Sequence, residues 1–589
     1  MARKLPATDV VIVGLGWTGS LLAEELTAAG LDVVAIERGP WRDTSTDYPT
    51  TIDQDELRFG IRLDLFLRPA QETFTFRNNL NQSALPIRQF GSFLPGNGVG
   101  GAGVHWNGQT WRFAATDYKL RSHLTERYGA KFLPEDMTIE DWGVSYDELE
   151  PFFDRFERIA GISGKAGNIK GEKIDGGNIF EDPRQRDYPL PPLESSYAMT
   201  LFDAAAKGLG HHPFPRPGAN ASRAYTNPLG VAMGPCTYCG FCERFGCGNY
   251  SKGTPQTAVL PVLMRRANFE ARTLCEVLHV NKDASGKRAT GVTYVDAHGE
   301  EFEQPADIVL LCAYGLHNVR LLLLSGIGQP YDPATGQGTV GRNYAYQSSS
   351  GARLFFDDKR FNPFIGTGVL GQSMDDFNGD NFDHAPHGFV GGAGISCAST
   401  HGRPIAASGT RAPGAGRWGM SWKSQVASTY QNTTGISGQG SVYSYRDCYL
   451  DLDPTYKDRF GRPLMRMTFD WHDNERKMTN FIAERCTEIA KAMNPKTLQT
   501  NRLSEHYSVV PYQSTHNTGG ATMGENPKTS VVNKYLQSWD VHNVFVVGAS
   551  AFQHNAGYNP TGTVGALALW AADAIKTRYL KTPGPLVQA

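Results

Sequence analysis

At 589 residues, 40% hydrophobic and 20% charged, the chain is longer than a single hydrophobic core normally grows, and its composition is that of a globular protein rather than a disordered or fibrous one. A net charge of −2, with no run of lysine and arginine, excludes nucleic acid as an expected partner. The longest apolar stretch, 308–324, is broken by His317, Asn318 and Arg320, so no segment is expected to cross a bilayer as a helix.

The N-terminus carries neither an apolar signal core nor a twin-arginine pair, and export of the chain would need a partner. Residues 9–14 (Asp-Val-Val-Ile-Val-Gly) read as a strand buried on both faces. Gly14, Gly16 and Gly19 follow with G-x-G-x-x-G spacing, and Leu21, Leu22, Glu25 and Leu26 then recur at helical intervals until Gly30. A second strand is expected over 33–36, with Glu37 at its end. In such a β-α-β unit Gly14 permits the tight turn, Gly16 admits a pyrophosphate close to the backbone, Gly19 packs helix on strand, and Glu37 accepts from a ribose hydroxyl. The helix N-terminus offers NH groups to phosphate. These residues fit NAD and FAD equally.

A second glycine-rich turn spans 96–103. Its Gly100 and Gly101 expose backbone NH groups that a phosphate or a flat ring can approach, and His105, Trp106 and Asn107 follow directly. Four of the nine cysteines, Cys236, Cys239, Cys242 and Cys247, fall within twelve residues, which points to a metal or cluster site more than to a disulfide framework. The first intervals match a ferredoxin-like run, but the last is longer and no proline follows, so iron-sulfur and zinc both stay open. Further buried strands are expected over 306–312 and 544–548, a helix over 316–324, and an alternating strand over 463–469. The fold class is therefore α/β: a Rossmann-like dinucleotide-binding domain assembled from 1–114, 231–345 and 501–589, with an α+β substrate domain from 115–230 and 346–500 inserted into it.

The fingerprint at Gly14, the turn Gly100-Gly-Ala-Gly-Val-His-Trp-Asn-Gly108, the turn at 325–328, Val340-Gly-Arg-Asn343 and Asn559-Pro-Thr-Gly-Thr563 stand in the order seen in the glucose-methanol-choline (GMC) oxidoreductases, which the chain resembles over nearly all its length. That resemblance implies FAD, with His105, Trp106, Asn107 and Thr561 along the flavin and His105 as the place of a covalent link to the flavin 8α-methyl. It also implies oxidation of an alcohol, in which a hydride leaves carbon for the flavin while a base takes the hydroxyl proton. His516 is the expected base and Asn559, which cannot be one, the group that orients the hydroxyl. His554 is the rival for the role, while His472 and His542 read as structural.

Segments 225–247, 446–456 and 469–474 resemble the family's membrane-bound bacterial sugar-acid and polyol dehydrogenases. From these follow a three-iron (3Fe-4S) cluster on Cys236, Cys242 and Cys247 with Cys239 left open, a small subunit carrying an export signal, and a membrane-anchored multihaem cytochrome c subunit. The complex is expected at the periplasmic face of the bacterial inner membrane. The expected reaction is D-gluconate to 2-keto-D-gluconate, with electrons leaving for cytochrome c and quinone. 2-Ketogluconate, sorbitol and other polyols are alternative substrates. An oxygen-using oxidase would leave a cluster without purpose, and a non-catalytic FAD-binding relay subunit would leave His516 and Asn559 without one. No basic residue for a substrate carboxylate is evident in the sequence.

Overall fold

The structure, a computed structural model, describes residues 2–48, 64–89, 93–363, 365–398, 410–512 and 514–588. Strand Thr8–Val13, helix Trp17–Ala28 and strand Val33–Ile36 form the expected β-α-β unit, the strands running parallel with Val10 opposite Val33 and Val13 opposite Ile36. Phe269–Arg272 adds a further parallel strand beyond Val33–Ile36. On the other side lies the long strand Glu301–Leu311, whose second half pairs in parallel with both Thr8–Val13 and Val544–Val546. Its first half is antiparallel to Ala289–Val295, which in turn pairs with Glu276–Lys282. Residues from three distant parts of the chain thus share one sheet, and Val10, Val11, Ile12, Val309, Leu310 and Val544 are fully buried in it.

A second, antiparallel sheet has the order Thr497–Asn501, Ser348–Phe355, Thr433–Gly440, Ala393–Ala398, Gly371–Met374, Phe214–Pro215. Strand periodicity sorts its side chains cleanly. Ile436, Ile395, Cys397 and Met374 point to one face, where they pack with Met478 and Ile482 of helix Asp473–Ala492 and Phe202 of helix Tyr197–Gly208. The alternate positions put Ser437, Gln439, Gly394, Ser396, Gly371 and Ser373 on the other face, which becomes the wall of a cavity.

The inserted segments do not pack as one unit. Helix Tyr146–Ala160, expected in the substrate domain, lies against helix Thr561–Ala574, and its Phe153, Phe156 and Ile159 share the core of the nucleotide sheet. Gly565 makes the approach possible, since a Cβ there would sit 2.4 Å from the Phe156 ring. Buried Arg112 locks the same helix by pairing with Glu150 at 3.0 Å and Glu157 at 2.8 Å. Strands Tyr449–Lys457 and Pro463–Thr468 likewise join Thr75–Arg77 and Leu85–Pro86 in a small sheet whose Leu450, Met465 and Met467 belong to that first core. Long-range packing, invisible to local patterning, sets these boundaries. Among the described residues no helix is long and apolar enough to cross a membrane.

Candidate active site

A cavity of about 450 Å³ runs from the glycine fingerprint to the polar face of the antiparallel sheet. At one end Gly14, with φ +95°, makes the tight turn, and a Cβ on it would lie 2.9 Å from the Cys312 carbonyl. Gly19 turns inward: its Cβ would fall 2.0 Å from the Gly14 carbonyl, so it packs helix on strand and does not line the cavity among the described residues. Gly16 does line it, and no side chain caps the helix that starts there. Those unsatisfied NH groups and the positive helix end suit a pyrophosphate. Both Glu37 carboxylate oxygens are engaged, accepting from Leu15 N at 3.0 Å and Gly39 N at 2.8 Å, while its side chain still borders the cavity.

The second glycine turn closes on the first, Gly100 N donating to the Leu15 carbonyl at 2.7 Å. Gly101, His105, Trp106 and Asn107 line the cavity, but Gly100 faces away, and a Cβ on it would collide with the Gln256 amide at 2.2 Å. His105 is buried with its Nε2 lacking any hydrogen-bond partner. Burial, with the nearby Lys252 charge as a lesser cause, lowers its pKa to about 3, so the imidazole is neutral and nucleophilic. Thr561 lines the cavity at the start of helix Thr561–Ala574. The cradle of glycines, the uncapped helix start and the orphaned His105 nitrogen fit an extended dinucleotide with a flavin at the far end.

His516 and Asn559 meet in the same cavity, His516 Nε2 lying 3.2 Å from the Asn559 amide nitrogen. Gln347, which sequence reasoning missed, fixes the proton on the other nitrogen. Its amide NH₂ donates to the carbonyls of Ala556 and Tyr558, both at 3.0 Å, leaving its oxygen to accept from His516 Nδ1. The Gln439 amide nitrogen also lies 3.2 Å from Nδ1 but, with the Nδ1 proton directed at Gln347, makes no hydrogen bond to it. His516 Nε2 therefore keeps its lone pair, and burial lowers its pKa to about 3. Asn559 is buried with its carbonyl oxygen unpaired. A lone pair on a neutral imidazole beside an amide is the pairing needed to accept a proton from a held hydroxyl.

The rival His554 and the two histidines read as structural lie elsewhere. His554 is fully buried against Trp142 and Tyr443, its Nε2 3.6 Å from Asp117, and is not among the described residues lining the cavity. His472 stacks on Tyr445 and is held by Asp136 at 3.1 Å and Asp447 at 2.9 Å; His542 lies against Tyr579.

The cysteine loop abuts the second glycine turn. Arg244 N donates to the His105 carbonyl at 2.8 Å, and buried Lys252 Nζ donates to the carbonyls of Trp106, Cys242 and Phe245 at 2.8, 2.9 and 2.8 Å. Cys236, Cys242 and Cys247 each receive a hydrogen bond, from Tyr238 N at 3.4 Å, Asn220 Nδ2 at 3.6 Å and Lys252 N at 3.4 Å; Cys239 is the exposed member. No three of the sulfurs lie within 4.8 Å of one another. A tetrahedral zinc with bonds of about 2.3 Å needs sulfurs roughly 3.8 Å apart, so the loop as it stands is too wide for one ion held by three of them.

Two models described as GMC oxidoreductase match the chain, over residues 204–348 and 444–568. The chain is 51% identical to the gluconate 2-dehydrogenase flavoprotein of Pantoea cypripedii, covering 100% of this chain and 97% of that one. It is 30% identical to 2-methyl-1,2-propanediol dehydrogenase of Mycolicibacterium austroafricanum over 98% and 97% of the two chains. It is 26% identical to the fructose dehydrogenase large subunit of Gluconobacter japonicus over 98% and 99%. Among solved structures, pyridoxine 4-oxidase from Mesorbium loti shares the fold, with a TM-score of 0.57 at 17% identity over 97% of this chain and 99% of that one.

Proposed function

The chain belongs to the GMC oxidoreductase family and is an FAD-dependent dehydrogenase acting on CH–OH groups, and from this premise we propose that it oxidises D-gluconate at C2 to 2-keto-D-gluconate. The observation that carries the reading is His516: neutral, with its lone pair fixed on Nε2 by Gln347 and turned to Asn559 inside the cavity. In this reading His516 takes the proton of the substrate hydroxyl, and Asn559 donates to the same oxygen as it becomes a carbonyl. FAD, when bound, supplies the hydride acceptor at that place. Gly14, Gly16, Glu37, Gly101, Trp106, Asn107 and Thr561 hold it, and His105 Nε2 is the atom for a covalent link.

Cys236, Cys242 and Cys247 would hold a three-iron cluster, which when bound would supply one-electron transfer towards a cytochrome c subunit and quinone. Support comes from the hydrogen bonds received by those three sulfurs and from Lys252, which ties their loop to the Trp106 carbonyl beside His105. The relative from Pantoea cypripedii is a gluconate 2-dehydrogenase flavoprotein, which supports a multi-subunit complex and a sugar-acid substrate; the partners proposed for it are an export-competent small subunit and a membrane-anchored cytochrome at the periplasmic face. The test is a panel of gluconate, 2-ketogluconate, sorbitol and fructose with an artificial electron acceptor, run beside iron, sulfide and flavin analysis. Gluconate is expected to give the highest kcat/KM, and activity confined to neutral polyols would overturn the substrate.

A further inference from the structure

A buried guanidinium ordinarily comes with a carboxylate, because leaving a charge unpaired out of water costs several kcal/mol. The arginines bordering the cavity mostly obey this. Arg38 pairs with Glu72, Arg320 with Asp458 at 2.6 Å, and Arg462 with both Glu276 and Asp458. Arg244 lies over the Tyr512 ring and 3.7 Å from Glu243. Arg216 is the exception. It is only 6% exposed, borders the cavity, and has no ion pair or side-chain hydrogen bond among the described residues, its Nε being an orphaned donor.

Its position is built. Phe214–Pro215 pairs with Gly371–Met374 at the edge of the antiparallel sheet, and Arg216 N donates to the Gly371 carbonyl at 3.1 Å. The side chain then folds over Gly371, where a Cβ would sit 2.4 Å from Arg216 Cδ and 3.0 Å from its terminal nitrogen. Only glycine lets the guanidinium lie on that face. The same face carries Ser373, Ser396 and Ser437 in one cross-strand row, and Gln439, which reaches His516, in the next. A fixed cation, a floor of hydroxyls and a proton acceptor thus share one cavity.

We infer that Arg216 is the residue that binds the substrate's carboxylate, so that the site selects sugar acids over neutral polyols. The inference rests on the dehydrogenase reading above and adds the group that reads the acid. A hydroxy acid supplies the missing anion to Arg216 and presents its hydroxyls to the serines and to His516. Charge-assisted hydrogen bonds are worth about 1.5 to 3 kcal/mol, corresponding to roughly 10- to 150-fold in binding.

The test compares D-gluconate with its neutral isostere D-gluconamide in flavin reduction by the holoenzyme. In Arg216→Met the ratio of kcat/KM for gluconate to that for gluconamide should fall by about 10- to 100-fold, through KM more than kcat. Arg216→Lys, which keeps the charge without the fork, should fall between. Because Met removes an unpaired buried charge, the substrate-free variant should melt no lower than the wild type. An unchanged ratio in Arg216→Met, or a lowered melting temperature without substrate, overturns the assignment. Wild-type enzyme that ignores gluconate altogether instead overturns the substrate reading, so the two failures are distinct.

Discussion

His516 is half-buried in the cavity wall as a neutral imidazole with its tautomer set by Gln347, and both features have consequences that can be measured. Because burial lowers its pKa to about 3, the base is already deprotonated across the working range, so flavin reduction by gluconate should be flat between pH 5 and 8. A tenfold rise through pH 6 to 7, the signature of an ordinary histidine, would contradict the assignment. The same shift affects stability with a definite sign. The unfolded chain binds a proton below about pH 6.5 that the folded site refuses until about pH 3, so stability falls as the pH drops through that window. For His105 the orphaned Nε2 points to attachment: flavin should stay with the polypeptide after acid precipitation and be released from His105→Ala. Complete release from the wild type would refute the covalent link alone.

At the scale of elements, the β-α-β unit was legible because its signal is local: an apolar strand, three spaced glycines, a helix and an acidic residue within 30 positions. The structure returns each of them, with Gly19 bound most tightly by its neighbours. Gly19→Ala would drive a Cβ into the Gly14 carbonyl, and the resulting shift of helix from strand should cost about 1 to 3 kcal/mol and lower the bound FAD. Urea unfolding and the flavin-to-protein ratio check this, and wild-type values in both would show that the packing contact is dispensable. The antiparallel sheet was not legible, because its partners are far apart in sequence: Gln347 and Gln439 reach His516 from 169 and 77 residues away. Arg216 was equally hidden, since a lone arginine in a loop-like stretch becomes informative only when its lack of a partner is seen.

For the whole molecule the claim is a division of labour, with proton and hydride chemistry at His516 and electron exit beyond His105 through the cysteine loop. Cys236→Ser, Cys242→Ser and Cys247→Ser should each lose iron and sulfide, still bleach their flavin with gluconate, and reduce cytochrome slowly. Stoichiometric zinc without iron would overturn that half. The sequence revealed the cysteines by their spacing but not their contact with the flavin-side turn, because Lys252, which makes it, carries no motif. The most direct test of the whole account is anaerobic stopped-flow reduction of the bound flavin by D-gluconate, wild type against His516→Ala. The limiting rate is expected to fall by about 10²- to 10⁴-fold, with little change in the gluconate concentration needed for half of it. A His516→Ala variant that reduces its flavin within a few-fold of the wild-type rate would contradict it.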